Sequence, residues 1–427
     1  MVIKNGVIFD CKEKIDGKKL DILIKDGRII KISPCINVSG EKSIDAGSMF
    51  VIPGLVDMHA HLREPGETQK ENLESGSRAA ARGGITTILV MPNTIPPLDN
   101  PDIIRSLVKK AALISPVSIL FASCMTIKRE GLIPVDIAKN REAGCAAFTD
   151  DGSSIQEIAV MAELCRLSAA EKVLLIEHPE IRALSKKSSV SYGELPGKYG
   201  MPGQPAEAES LAIWTLGSIA GLSGARVHFT HISTRKSAEA VGMLKKYYPG
   251  SITCDTTPHH LLLSEEDLIK NLDTNKKMNP PLRPEDDRQA IEDALRGGII
   301  DAIATDHAPH TDEDKNGSFE SAAFGTIGLE TFLASTYTQL VRNKGLKILD
   351  WLQMVSAGPS RILGIESLSM KAGSRADITV FHPRRTIKVE RENIVSKSKN
   401  SAFMGMSFYG KVEYTIAGGK IAYPFNK

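Results

Sequence analysis

The chain has six cysteines (Cys11, Cys35, Cys124, Cys145, Cys165, Cys254) and no C-x-x-C pair among them. Scattered thiols of this kind exclude a disulfide scaffold and a cysteine zinc knuckle, and free buried thiols in a reducing compartment are the expectation. No apolar run approaches the roughly 20 residues that span a bilayer. No charged-then-apolar segment opens the chain at Met1-Val2-Ile3-Lys4, so a cytoplasmic protein with no membrane partner is expected. An excess of one charge is also missing. Lys and Arg number 53 against 51 Asp and Glu, a net +2, and basic residues cluster only in short pairs such as Lys186-Lys187 and Lys276-Lys277. That balance gives no footprint for nucleic acid. H-E-x-x-H and G-x-S-x-G are absent, and Gly193 to Lys198 is one residue too short for a phosphate loop and continues with Tyr199. Serine or cysteine nucleophiles are therefore a weak option.

What is present is an ordinary globular composition, 42% hydrophobic and 24% charged over 427 residues, enough for a large enzyme core or two to three domains. The first fifty residues read as short strands with turns at Asn5-Gly6 and Asp26-Gly27, both strong hairpin signals because these residues tolerate positive φ. The far end looks alike, with strand-like runs at Ala376 to Phe381, Val412 to Ala417 and Gly418 to Tyr423. The two ends are expected to pair into one small β-domain. Between them apolar runs recur, each followed by an amphipathic stretch: Phe50–Val56, Ile88–Val90, Val117–Ala122, Ala146–Thr149, Val173–Ile176, Val227–Thr230, Ser251–Cys254 and Ile299–Ala304. Eight β-then-α units predict a (β/α)8 TIM barrel. A doubly wound open sheet is the runner-up, weakened by the missing Gly-rich first turn. The expected division is 1–50 and 366–427 as the two parts of a β-sandwich domain, with 51–365 as the barrel. Ser185–Ser210, rich in Gly, Pro and Ser, and Ala308–Gly325 follow strand ends, where barrel sites lie. Either is placed to cover a substrate or to be a disordered surface loop.

The ten histidines are unevenly placed. His59 and His61 follow the first run, His178 the fifth and His231 the sixth, and the eighth ends Ala304-Thr305-Asp306-His307-Ala308-Pro309-His310. In a strand over 50–56 and beyond, alternation sends His59, His61 and Arg63 to one face. That face offers two metal ligands and a guanidinium, which binds no metal but forks a carboxylate. Four histidines exceed the needs of one catalytic zinc, and a bridging carboxylate would let them hold two ions. Thr149-Asp150-Asp151-Gly152 supplies that carboxylate. Adjacent strand residues face opposite ways, so only one of Asp150 and Asp151 enters the barrel mouth, and alternation alone does not choose between them. Asp306, at the rim, is the general acid–base candidate: it can orient a metal-activated nucleophile, take its proton and return it to a leaving nitrogen. Arg63, Asn93, Asn279 and His310 form an anion-binding set. Asn93 and Asn279, each beside prolines, also suit plain turn chemistry.

Together these residues resemble the amidohydrolase superfamily and, within it, the dihydroorotases of the long bacterial-type class. The resemblance runs from Asp21-Ile22-Leu23-Ile24-Lys25-Asp26-Gly27 through the segment Pro53 to Gly66 to Ala376-Asp377-Ile378. The histidine pair is a superfamily feature. Arg63, Met91-Pro92-Asn93-Thr94, Asn279-Pro280-Pro281-Leu282-Arg283 and Thr305 to His310 are similar to dihydroorotases in particular. The resemblance implies that His59, His61 and Asp306 hold one Zn2+, that His178 and His231 hold a second, and that Asp151 bridges both. It thus selects the second aspartate. Hydantoinases and allantoinases bridge their metals with a carboxylated lysine from strand four, and here Ala146-Ala147-Phe148-Thr149-Asp150-Asp151 contains none. The implied reaction is the reversible cyclisation of N-carbamoyl-L-aspartate to L-dihydroorotate plus water, in de novo pyrimidine (UMP) biosynthesis, with Asp306 as acid and base. By the same resemblance Arg63, Asn93 and His310 take the substrate carboxylate. Asn279 and the backbone at Phe324 and Gly325 touch the pyrimidine edge, and His61 serves substrate as well as metal. Aspartate transcarbamoylase and a homodimer are the partners the family suggests. The alternatives are another cyclic amidase of the allantoinase or hydantoinase type, or a non-catalytic partner of aspartate transcarbamoylase. The last of these predicts missing ligands, yet all six positions are filled.

Overall fold

The computed structural model describes residues 1–425 except Ser39, Lys270 and Ser367. Five strands open the chain: β1 (Val2–Asp10), β2 (Ile15–Lys25), β3 (Arg28–Ser33), β4 (Ser43–Asp45) and β5 (Phe50–Pro53). Another five alternate with helices: β6 (Leu55–Ala60), β7 (Ile85–Val90), β8 (Ser118–Ser123), β9 (Cys145–Phe148) and β10 (Leu174–Glu177). A small parallel pair follows, β11 (Val190–Ser191) and β12 (Gly203–Gln204), then β13 (Arg226–Phe229), β14 (Ile252–Thr256) and β15 (Ala302–Ile303). The chain ends with β16 (Ile378–Lys388), β17 (Ser407–Ala417) and β18 (Lys420–Tyr423).

The middle strands form one parallel sheet in the order β15-β14-β13-β10-β9-β8-β7-β6. Every residue of β6 and β7 is buried, as expected of parallel strands covered on both faces. The sheet closes on itself where His61 N donates to His307 O at 2.8 Å and Ala60 bridges His307 in parallel. This is the (β/α)8 barrel. Some of the crossover helices start on polar caps that fix where the chain turns back. Asn72 caps Leu73–Arg82 through Ser75 N, and Asn100, followed by Pro101, caps Pro101–Ile114 through Asp102 N, satisfying end N–H groups that the helix cannot.

The terminal strands pair with each other, as expected, in the order β18-β17-β16-β5-β1-β2-β3, with β4 against β1. The hydrogen bonding is continuous, so this unit is one sheet rather than two separately bonded ones. Ile3, Ile8, Ile22, Ile24, Ile29, Val51, Ile378, Val380 and Ile416 form its own apolar core. Two local expectations change. Asp26-Gly27 does turn β2 into β3, with φ of 50° and 77°, but Asn5 (φ 61°) lies inside β1 at a register shift against β2, a bulge rather than a hairpin turn. The run Phe50–Val56 is not one strand either. Phe50–Pro53 pairs with β1 and β16, and Leu55 onward joins the barrel. The break falls at Gly54, where a Cβ would lie 2.1 Å from Thr86 Oγ1.

Ser185–Ser210 is not a disordered loop. It carries β11, the helix Glu194–Tyr199 and β12, and Val190, Leu195 and Met201 pack with Leu263, Met278 and Phe319. Arg283 pins it. Buried at 2% exposure, Arg283 donates to Gln204 O at 3.1 Å, Gln204 Oε1 at 2.8 Å and Ser233 Oγ at 3.0 Å, with Glu209 Oε2 at 3.5 Å. The six thiols are free; Cys124, Cys145, Cys165 and Cys254 are buried as expected, Cys11 is half-buried and Cys35 is exposed. Among the described residues no helix is long and apolar enough to cross a membrane.

Removing Arg283 leaves Glu209 buried beside no counter-charge, a change that typically costs about 3–5 kcal/mol. Arg283→Met is expected to lower the thermal midpoint by several degrees, followed by circular dichroism; an unmoved midpoint would reject its bracing role.

Candidate active site

Residues from six barrel strands converge at one end. His59 lies in β6, whose last residue is Ala60; His61 follows it; Asn93 comes shortly after β7, Asp151 after β9, His178 after β10, His231 after β13 and Asp306 after β15. All are the carboxyl ends of strands, the face that carries chemistry in this architecture. One cavity of about 280 Å³ is lined by His61, Arg63, Asn93, Asp151, Gly152, His178, His231, Asn279, Asp306, Ala308, His310, Phe324 and Gly325. His59 sits deeper, 1% exposed. With His59 at its floor, this mouth brings together the predicted ligand and substrate residues, while Asp150, the other aspartate candidate, lies outside it.

At the floor, ligand-type atoms crowd together. His59 Nε2 lies 3.3 Å from His61 Nε2, 3.3 Å from Asp151 Oδ1 and 3.4 Å from Asp306 Oδ1. His61 Nε2 is 3.2 Å from Asp306 Oδ1 and 3.6 Å from Asp151 Oδ2. His59, His61 and Asp151 present one ligand atom each within 4.8 Å of one another. The His178 and His231 rings stand 4.7 Å apart, with His231 5.2 Å from His59.

The other ring nitrogens explain which way the lone pairs face. His59 Nδ1 lies 2.7 Å from Thr230 Oγ1, whose hydroxyl donates onward to Asp255 at 3.3 Å. His61 Nδ1 lies 2.8 Å from Asn93 Oδ1, an atom that can only accept. Each Nδ1 thus carries the proton and each Nε2 turns a lone pair inward, the outer-partner pattern of metal-ligating histidine. Two lone pairs and two carboxylates then face one point, and positive charge is required there. The buried Asp151 and Asp306 carboxyls are held below their ordinary range: burial acts against this, but the surrounding histidines outweigh it. Burial likewise opposes charge on His59, yet Asp151, Asp306 and Asp255 push it up to about 10, so a proton would occupy Nε2 and supply the positive charge wherever a cation did not take that lone pair. Burial and His178 hold His231 well below its usual value, so it stays a neutral donor of lone pairs. Among the described residues the Oδ1 of Asp151 and Nδ1 of His231 are buried without a hydrogen-bond partner, a costly state unless an ion takes them up.

Asp150 and Asp151 do face opposite ways. Asp150 accepts from Met125 N at 2.8 Å, from Thr126 N at 3.1 Å and from the Thr126 hydroxyl, fastening the loop after β8, while Asp151 faces the histidines. Arg63 does not extend the strand as expected. β6 stops at Ala60, and Arg63 reaches the cavity from a left-handed backbone, φ 57°. His231 (φ 39°) and Asp306 (φ 47°) share that region, sparsely populated for residues with a Cβ and concentrated at functional sites. Arg63 Nη2 donates to His310 Nε2 at 3.3 Å and Nε to Pro309 O at 3.3 Å. Burial and this guanidinium push His310 down to about 3, so it is neutral. Asn93 also contacts Asp151 Oδ2 through Nδ2 at 3.5 Å, and Asn279 Nδ2 donates to His178 Nε2 at 3.3 Å and Glu180 Oε2 at 3.4 Å. Both asparagines therefore touch the histidine–aspartate cluster as well as the cavity. Phe324, 41% exposed, forms the outer lip, with Lys277 Nζ 4.3 Å from its ring centre.

Two buried carboxylates were missed in the sequence. Asp57 accepts from Thr305 N at 2.8 Å and Thr305 Oγ1 at 2.6 Å, tying the first barrel strand to the last just before Asp306. Its alternation with His59 and His61 was the available signal. Asp255 accepts from His231 N at 2.6 Å and sits 2.8 Å from His228 Nε2. An aspartate inside the apolar run of β14 was its only trace.

The Amidohydrolase family profile matches residues 50–422. A dihydroorotase of Carboxydothermus hydrogenoformans is 41% identical over 99% of this chain and 98% of its own length. Another from Aquifex aeolicus is 38% identical over 99% of both. Among solved structures, the L-hydantoinase (dihydropyrimidinase) of Arthrobacter aurescens superposes with a TM-score of 0.87 at 27% identity, over 98% of this chain and 95% of that one. With the profile matching across the whole barrel and dihydroorotases similar from end to end, the chain belongs to the amidohydrolase family, on its dihydroorotase branch.

Proposed function

We propose that this enzyme is a dihydroorotase, interconverting N-carbamoyl-L-aspartate and L-dihydroorotate plus water, and that it works in the cytoplasm. The observation that carries the reading is Arg63. It is 9% exposed, faces the histidine–aspartate cluster beside a neutral His310, and among the described residues has no carboxylate within salt-bridge distance. A buried guanidinium without a counter-ion is costly, and a substrate carboxylate removes that cost through a bidentate contact. Hydantoin-type rings lack this carboxylate. The structural likeness to L-hydantoinase accordingly speaks for the barrel and for cyclic-amide hydrolysis, while Arg63 and Asp151 favour the dihydroorotase substrate.

The donor set fits two Zn2+ ions, with His59, His61 and Asp306 on one, His178 and His231 on the other and Asp151 shared. The unpartnered Asp151 Oδ1 and His231 Nδ1 support this. Bound there, the cations would supply Lewis-acid polarisation of the ring carbonyl and of water. Asp306 acts on the proton. It takes one from the attacking water and gives it to the ring nitrogen as the carbon–nitrogen bond breaks, and the reverse steps close the ring. Arg63, Asn93 and His310 hold the carboxylate, while Asn279 and the Phe324–Gly325 backbone meet the ring edge, so the reacting carbon is brought to the floor in one orientation. In this reading the catalytic barrel runs to 365 from Leu55 rather than from the expected 51, since Phe50–Pro53 pairs in the terminal sheet, and the two terminal parts of the chain brace it. A second copy of the chain and aspartate transcarbamoylase are its proposed partners, testable by mass measurement and by assay with and without that enzyme.

Three outcomes check the proposal. Chelation should abolish dihydroorotate hydrolysis and zinc restore it, with elemental analysis returning about two ions per chain; full turnover by metal-free protein would reject a metal role. Asp306→Asn should keep most of its metal yet lose roughly a hundredfold or more in kcat, since a ligand oxygen survives and the base does not; turnover near wild type would sink the assignment. Arg63→Ala should raise KM for dihydroorotate at least tenfold, about 1.4 kcal/mol of lost charge-assisted contact, and an unchanged KM would count against a carboxylate clamp.

A further inference from the structure

The outer wall of the cavity is held by two side chains that no strand end supplies. Asn400, 3% exposed, lies between β16 and β17, in the C-terminal part of the chain. Its amide is fully used on the main chain of two other loops. Oδ1 accepts from His310 N at 3.0 Å, and Nδ2 donates to Ala308 O and to Gly325 O, each at 3.1 Å. Its own carbonyl accepts from Ile327 N and Thr326 Oγ1, also at 3.1 Å. Lys315, 6% exposed, meets the same wall from the other side. Its ammonium donates to Ala323 O at 2.8 Å and Gly325 O at 2.9 Å, with Lys277 O at 3.5 Å. The carbonyl of Gly325 is thus gripped twice.

The two loops are in close contact at that point. Gly325 has φ +133°, and a Cβ there would fall 2.6 Å from Ala308 Cβ and 2.9 Å from Ala308 O. Ala308 N donates to Thr326 O and Gly325 N to Lys277 O, both at 2.8 Å. The 308–310 segment in turn carries the Pro309 carbonyl and the His310 ring on which the Arg63 guanidinium rests. Asn400 and Lys315 therefore act on the anion-binding end without touching the cavity floor.

We propose that Asn400 and Lys315 are positioning residues for the carboxylate-binding end of the site, holding Ala308–His310 against Phe324–Gly325 so that Arg63 and His310 meet the substrate in a preset geometry. The proposal rests on the dihydroorotase reading. Its physical basis is preorganisation: a clamp already in place spends no binding energy on ordering two loops. The chemistry is specific. Aspartate at position 400 would lose both donors and turn a negative charge on two carbonyls, and methionine at 315 would take the side-chain donor from Ala323 O and leave Gly325 O and Lys277 O with one donor each.

The test uses the full-length, zinc-loaded enzyme and its variants Asn400→Ala, Asn400→Asp and Lys315→Met. Wild-type turnover of L-dihydroorotate is measured first, and its absence rejects the functional reading on its own. With wild-type turnover in hand, each variant that folds is expected to raise KM roughly tenfold while kcat stays within about threefold, because the lost contacts order the binding end and not the reacting atoms. In an Arg63→Ala background the added effect of Asn400→Ala should shrink to about twofold or less, since the clamp it positions is gone. A KM unchanged in all folded variants overturns the positioning role. So does a fall in kcat alone, full additivity with Arg63→Ala, or failure of all three variants to fold, which would make these residues structural.

Discussion

Two imidazoles whose Nε2 atoms lie 3.3 Å apart, each with two carboxylates 3.2–3.6 Å from that nitrogen, bring together negative and lone-pair density that repels unless positive charge is held among them, and the rest of the structure is arranged to make them stay. Solvation cannot relieve the repulsion, because every member of the group is buried. The barrel supplies rigidity, with Asp57 joining the first and last strands beneath the cluster. Thr230, Asp255 and Asn93 supply orientation by occupying the outward nitrogens of His59 and His61 and the main chain of His231. Left-handed backbone at Arg63, His231 and Asp306 is conformational strain of roughly 1–3 kcal/mol per residue, offset by the packing around it.

The site is layered by charge. At the floor, negative groups call for cations. At the lip, a buried cation, Arg63, calls for an anion, and the neutral His310 beside it accepts a hydrogen bond instead of competing. A substrate with a carboxylate at one end and a polarisable carbonyl at the other meets both demands at once. That dipolar match selects among ring amides more sharply than the shape of the barrel does, which dihydroorotases and hydantoinases share.

Much of this was readable in the sequence because the relevant signals are local. The eight apolar runs, the strand-end histidines and the Asp26-Gly27 turn each depend on a few neighbouring residues. Where a local pattern was over-extended it failed. Alternation carried Arg63 along a strand that ends three residues earlier, and Phe50–Val56 looked like one strand because both sheets ask for the same apolar residues. Asn5-Gly6 has the composition of a turn, but a bulge meets the same need for positive φ. The choice between Asp150 and Asp151 came from family resemblance, since alternation alone is symmetric. Asn400, Lys315, Arg283 and Asp255 left almost no signal. The partners of Asn400 and Arg283 lie far along the chain, 90 residues from Asn400 to His310 and 79 from Arg283 to Gln204, and only the folded topology brings such pairs together, whereas Lys315 reaches main-chain carbonyls 8 and 10 residues on, which no residue type marks.

Gly54 has a meaning beyond its lack of a side chain. It is the single residue between a strand that belongs to the terminal sheet and the strand that bears His59. With so short a coupling, and with β5 clasped between β1 and β16, the terminal sheet is not an appendage that can be exchanged for another. The loops at the barrel mouth have room to vary in length and content; this junction does not. Divergence of such an enzyme would therefore be written at the rim, while the seam between its two sheets stays fixed in length.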